Sequence, residues 1–137
     1  MIVALLLAAA ARETAVEAER AFIAMAQTEG QWTAFRAFAA PDGVMFVPER
    51  VNAQQWLKGR TDPRVSVMWW PARSWVSCDG NVAVNTGPWV RAGGTKVGYF
   101  TTVWARTGGG WKWLIDHGDE LDEPPPATEE AQVRRAP

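Results

Sequence analysis

The sequence predicts an α+β protein, with helices first and one antiparallel sheet after them. Three observations lead there. Residues 13–28 repeat apolar side chains at helical spacing; from residue 65 onward aromatic and β-branched runs alternate with glycine turns; and residues 95–119 (TKVGYFTTVWARTGGGWKWLIDHGD) fold two such runs back across a Gly-rich loop. Helices that precede a meander pack together on one of its faces. A chain of 137 residues makes one domain, large enough to bury roughly two-thirds of its unfolded surface.

In the first predicted helix, residues 13–28, Val16, Phe22, Ile23 and Ala26 face the core and Glu13, Glu17 and Arg20 face outward. Thr14 with Glu17 three residues on has the form of a capping box, and Gly30 ends the helix. Residues 31–39 form a second helix with Trp32, Phe35 and Phe38 or Ala39 turned inward, closed by a turn at Pro41-Asp42-Gly43. A short strand at 44–47 stops at Pro48, and Asn52 caps a brief helix carrying Trp56 and Leu57. One long strand follows over 65–78, bent at Pro71. Asp79-Gly80 turns it into a strand at 82–90, Gly93-Gly94 into one at 96–106, and residues 107–110 into the last, 111–117.

The turns also suggest a register. Setting Arg106 opposite Trp111 avoids the like-charge pair Arg106–Lys112 that a one-residue slip would create. Trp104 then faces Trp113, Phe100 faces His117, Asn85 faces Thr102 and Gly87 faces Phe100. One face collects Asn85, Trp89, Phe100, Thr102, Trp104, Trp113, Ile115 and His117; the other collects Val84, Thr86, Tyr99, Thr101, Val103 and Asp116. Both are largely apolar. One packs the helices, and the other meets a second subunit or the curl of the sheet itself.

Composition narrows the function classes. The net charge of −1 and a pI near 5.8 offer no electrostatic footprint for nucleic acid or an anionic membrane. One histidine and one cysteine, Cys78, do not make a metal site, and Cys78 reads as a strand-end core residue. Ser66, Ser74 and Ser77 lack the context of a nucleophile elbow, and the glycines at 108–110 lead into no phosphate-binding helix. Nine tryptophans imply a wide core, an aromatic-lined cavity or an apolar interface.

The two ends differ from the middle. Residues 1–11 (MIVALLLAAAA) are continuously apolar, too short to span a bilayer, and end in small residues of the kind that precede a signal-peptidase cut. They read as a signal segment of a secreted or periplasmic protein, with the mature chain starting near Arg12. The alternative is the apolar start of the first helix in a cytoplasmic protein. Residues 122–137 (DEPPPATEEAQVRRAP), with three prolines in a row and few large apolar side chains, read as a disordered tail after a domain spanning 12–121.

The segments 32–47 (WTAFRAFAAPDGVMFV), 82–89 and 99–117, together with the terminal GWKWLIDHG of residues 110–118, resemble the nuclear-transport-factor-2-like superfamily. Within it they look most like SnoaL-like proteins and the domain of unknown function numbered 4440. The resemblance implies a cystatin-like curved antiparallel sheet wrapped around N-terminal helices, a conical apolar pocket and frequent homodimers. It implies no single activity, because relatives include isomerases, cyclases, hydrolases and non-catalytic domains. Many relatives place a histidine near this point of the last strand, usually before a serine; here Gly118 follows.

His117 is the one residue whose ordinary pKa lies near neutrality, so it is the candidate general base; the alternative is a strand-end histidine bonded to backbone or solvent. The expected register puts Asp116 on the opposite face, as an interface or rim carboxylate. Trp32, Asn85, Phe100, Thr102, Trp104 and Trp113 are the candidate pocket wall. Two functions fit. The first is a non-catalytic module that holds a small apolar ligand in a tryptophan-lined cone and dimerises through its sheet. The second is a cofactor-free isomerase or cyclase in which His117 moves a proton and Asn85 or Thr102 orients the substrate. A buried ionisable group of shifted pKa inside the cone would favour the enzyme.

Overall fold

The computed structural model describes residues 12–123 and 130–137. The apolar segment 1–11 and the proline run lie outside them. Helix α1 (Ala15–Thr28) begins at the expected capping box: Thr14 N–H donates to Glu17 Oε2 at 2.7 Å and Glu17 N–H to Thr14 Oγ1 at 3.2 Å. Helix α2 (Gln31–Phe38) follows after Gly30, whose positive φ of 120° breaks the run. The chain continues through β1 (Ala39–Phe46), β2 (Arg50–Asn52) and α3 (Ala53–Leu57), which Asn52 caps by accepting from Gln55 N–H at 2.9 Å. The remaining strands are β3 (Met68–Trp69), β4 (Arg73–Val76), β5 (Val82–Val90), β6 (Val97–Thr107), β7 (Gly110–Leu121) and β8 (Gln132–Arg135).

All eight strands join one sheet in the order β2-β1-β7-β6-β5-β4-β8, with β3 also on β5. Its centre is the expected antiparallel meander. Its flanks are parallel, β1 on β7 and β8 on β4, so the sheet is mixed. The long strand expected over 65–78 is two short ones. Pro71 lacks the N–H that a continuous ladder needs there, and Trp70 and Ala72 on either side donate to Pro88 and Thr86 carbonyls instead. Cys78 is exposed in the turn that follows rather than buried.

The tail also departs from expectation. Residues 122–137 were expected to be without structure, yet Gln132–Arg135 pairs along β4, with Trp75 opposite Arg134 and Val76 opposite Arg135. The β4 edge offers unpaired backbone groups, and the tail satisfies them. Low hydrophobicity does not prevent that, because ladder bonds do not depend on side-chain character.

The register follows the expectation up to one residue. Trp104 faces Trp113, Asn85 faces Thr102 and Gly87 faces Phe100. Then Val103 pairs with Ile115, leaving Leu114 as an extra residue in β7. This bulge shifts everything after it by one: Thr102 faces Asp116, Thr101 faces His117, and Phe100 faces Gly118 rather than His117. Side chains alternate along a strand, so Asp116 turns toward the helices while Ile115 and His117 turn outward. The expected assignment of those three residues is thereby reversed.

Between helices and sheet lies an aromatic core. Phe22, fully buried on α1, meets Phe35 and Trp69 edge-on at 4.9 Å and lies 5.3 Å from Phe38 and 6.0 Å from Trp104. Edge-to-face contacts of this kind add to simple burial. Gly98 makes room for the Trp89 ring: a Cβ there would collide with that ring and with the Asp119 carbonyl. Replacing Phe22 with Ala should lower stability by about 3–5 kcal/mol in urea denaturation. Val65→Ala, at a position 58% exposed, should change it by about 0.5 kcal/mol or less.

Candidate functional site

The aromatic core does not fill the cone. At the end where α1 hands over to α2, a cavity of about 150 Å³ opens, lined chiefly by Gln31, Phe35, Trp69, Trp89, Phe100 and Asp116. Arg91, His117 and Gly118 also border it. Apolar cavities of about this volume accept one benzene-sized ring. Phe35, Trp69, Trp89 and Phe100 give the wall its aromatic surface, Asp116 is its one carboxylate and Arg91 its one guanidinium.

Asp116 reaches the cavity because of the Leu114 bulge. Its carboxylate is partly open to the cavity and otherwise enclosed, and the Thr102 hydroxyl donates to its Oδ1 at 3.2 Å. Burial and then the nearby Glu19 carboxyl raise its pKa to about 7, against the single hydrogen bond from Thr102, which lowers it.

Glu19 is the second carboxyl group, fully buried on the inner face of α1. Trp69 Nε1–H donates to its Oε1 at 2.9 Å, Trp104 Nε1–H to its Oε2 at 2.6 Å, and the Asn85 amide to Oε2 at 3.1 Å. The same amide also donates to the Ala15 carbonyl at 2.9 Å. All three partners of the carboxyl are neutral donors. Burial raises its pKa to about 7, against the hydrogen bonds from Trp69, Trp104 and Asn85. Two carboxyl groups titrating near neutrality and sensing each other behave as a pair.

The expected site residues divide accordingly. Phe100 lines the cavity. Trp104, Asn85 and Thr102 lie behind the wall, the first two holding Glu19 and the third holding Asp116. Trp113 is buried in the core against Phe35, and Trp32 packs between Phe35 and Trp56 on the helical side. None of these five faces the cavity. Each is instead taken up by hydrogen bonds or ring packing between the helices and the sheet. His117 stands at the rim, turned outward, its ring 5.2 Å from Phe46 and its Nε2 3.5 Å from Asp119 Oδ1. Among the described residues, no group of three His, Cys, Asp or Glu side chains is arranged to hold a metal ion, and no helix is long and apolar enough to cross a membrane.

Both raised pKa values have a consequence for stability. Between the unfolded values near 4 and the folded values near 7, the native state binds more protons than the unfolded chain. The stabilisation is therefore complete below about pH 4 and lost as pH rises through 7. Chemical denaturation from pH 4.5 to 8 should show this loss, on the order of 3 kcal/mol for Glu19 alone. In Glu19→Gln the slope should flatten to what Asp116 contributes.

No protein-family model and no curated protein matches the chain. Solved structures do. A candidate ketosteroid isomerase from Parabacteroides distasonis aligns at 20% identity over 80% of this chain and 90% of that one, with a TM-score of 0.58. A nuclear-transport-factor-2-like protein with a cystatin-like fold from Novosphingobium aromaticivorans aligns at 18% identity over 78% and 79%, with a TM-score of 0.59. The association domain of C. elegans CaMKII aligns at 10% identity over 76% and 91%, with a TM-score of 0.54. Likeness at these identities shows architecture, and the architecture is the cystatin-like, nuclear-transport-factor-2-like one: N-terminal helices held in a curved, open, mixed sheet.

Proposed function

We propose that the chain binds a small, single-ring carbonyl compound in its aromatic cavity and moves a proton on it without a cofactor, Asp116 acting as general base. One observation supports this above the rest: a carboxyl group with a pKa of about 7 opens into an apolar cavity the size of one ring. A base works best when its pKa lies near the working pH. The carboxylate would take a proton from the carbon next to the carbonyl, the electron pair would move onto the carbonyl oxygen, and the same carboxyl could return the proton to another carbon. Trp89 lies on the cavity wall, its buried indole N–H has no partner among the described residues, and in this proposal it donates to that oxygen. His117, the base expected from sequence, faces outward and is replaced in this role by Asp116. The small apolar ligand of the binding-module reading is kept; the SnoaL-like character is kept as part of the same proposal, as is an extracytoplasmic location reached through residues 1–11.

Exchange of the α-protons of cyclohexanone in D₂O, followed by NMR, tests the chemistry. The rate should rise with pH through about 7 and level off above it. Asp116→Asn should lower it about 10²–10⁴-fold while leaving quenching of tryptophan fluorescence by phenol intact. His117→Ala should stay within a fewfold of wild type. Saturable phenol binding without exchange in wild type would return the function to a non-catalytic binding module.

We also infer a homodimer through the outer sheet face, where Phe46, Trp75, Val82 and Ile115 are each 38–43% exposed. Scattered apolar residues are ordinary on a surface, but a connected set on one sheet face marks an interface. A structural neighbour named as an association domain adds support. Sedimentation at micromolar concentration should report a dimer that Ile115→Arg converts to monomer; a monomeric wild type would refute it.

A further inference from the structure

At the opposite end of the sheet from the aromatic cavity lies a second recess, of about 320 Å³, between the first turn of α1 and the β4–β8 edge. Three guanidinium groups border it, those of Arg12, Arg106 and Arg135. Among the described residues none of the three is ion-paired with a carboxylate. The one carboxylate in the wall, Asp79, is already engaged: the Ser77 hydroxyl donates to it at 2.6 Å and Asn81 N–H at 2.9 Å. Arg106 is held in place by stacking on Trp111, 4.4 Å from the ring centre, and by donating to the Glu13 carbonyl at 3.0 Å. Such anchoring orients a guanidinium while leaving donors over.

A second, independent feature lies in the wall of the same recess. Ser74 is 1% exposed, lines the recess, and its hydroxyl has no hydrogen-bond partner among the described residues. A buried hydroxyl without a partner is costly unless something fills the role. Val76, Val133 and Trp111 supply apolar wall beside these polar groups. Pairing of β8 with β4 places Val133 next to Ser74 and Arg135 next to Val76, on the face turned toward α1. The tail therefore supplies Val133 and Arg135 to the wall of the recess.

We propose that this recess is a binding site for a small organic carboxylate: the acid group received by the guanidiniums and the Ser74 hydroxyl, the apolar body laid on Val76, Val133 and Trp111. It is separate from the aromatic cavity, whose own lining holds the Asp116 carboxylate. The basic groups come from both ends of the described chain, Arg12 before α1 and Arg135 in β8, so occupancy would tie the tail to the domain.

Isothermal titration of the full chain with benzoate, with benzamide as the uncharged counterpart, tests the site. Benzoate should bind saturably and benzamide at least tenfold more weakly. Arg135→Gln should weaken benzoate roughly tenfold, the scale of one charge-assisted hydrogen bond. Ser74→Ala, which removes an unpartnered group and so should not harm folding, should weaken it severalfold. Asp116→Asn should leave it unchanged. Absence of saturable benzoate binding, equal binding of benzamide, or indifference to both Arg135→Gln and Ser74→Ala would overturn the proposal. An effect confined to Asp116→Asn would place the benzoate in the aromatic cavity instead and overturn it equally.

Discussion

A carboxyl group inside the cone, received by two indole N–H groups and an amide, joins every layer of this protein. Glu19 belongs to α1, Trp69 to β3, Asn85 to β5 and Trp104 to β6, so one side chain fixes the helix against three strands at a defined depth. Aromatic packing alone is tolerant of small slides and rotations, because edge contacts are broad in geometry. Hydrogen bonds are not, and those here act where the dielectric is low and misalignment is expensive. The arrangement also accounts for part of the tryptophan content. Trp69 and Trp104 are used at once as bulk and as donors, a combination that phenylalanine cannot supply.

That central fixation determines what is left open. With α1 drawn into the middle of the sheet, the strand centres are sealed and open space survives at the two ends. The ends have opposite chemistry. One is aromatic with a carboxyl group whose proton is held loosely at neutral pH; the other carries arginines and a buried hydroxyl. The Glu19 charge is felt by Asp116, so the group that positions the helix also tunes the group that faces the cavity. Structural and chemical roles are thus coupled through electrostatics rather than through direct contact.

Much of this was legible in the chain. The capping box at Thr14 and Glu17, the order of helices before strands, and the pairing of Trp104 with Trp113 all follow from local patterns whose energetics are local. Glu19 could have been found: it falls between Ala15, Phe22 and Ala26 on the buried stripe of α1, and a charge on such a stripe signals a buried partner set. The Leu114 bulge had no such signal. A single extra residue in an aromatic strand leaves composition and alternation nearly intact, and only the paired strand reveals it. The β8 strand was hidden for a different reason, since a tail that docks by backbone bonds alone needs no distinctive side chains.

The bulge has a consequence for how such a site can change. Asp116 and His117 are adjacent, one a carboxyl group with its pKa raised to about 7 and the other an imidazole. Which one looks into the cone is decided by chain phase and not by identity. Drawing Leu114 into the ladder opposite Val103 would rotate the pair, presenting an imidazole to the cavity and turning the carboxylate outward, with no substitution at either position. In this fold a one-residue slip of strand pairing, with chain length and sequence unchanged, is enough to exchange the carboxylate that faces a pocket for an imidazole.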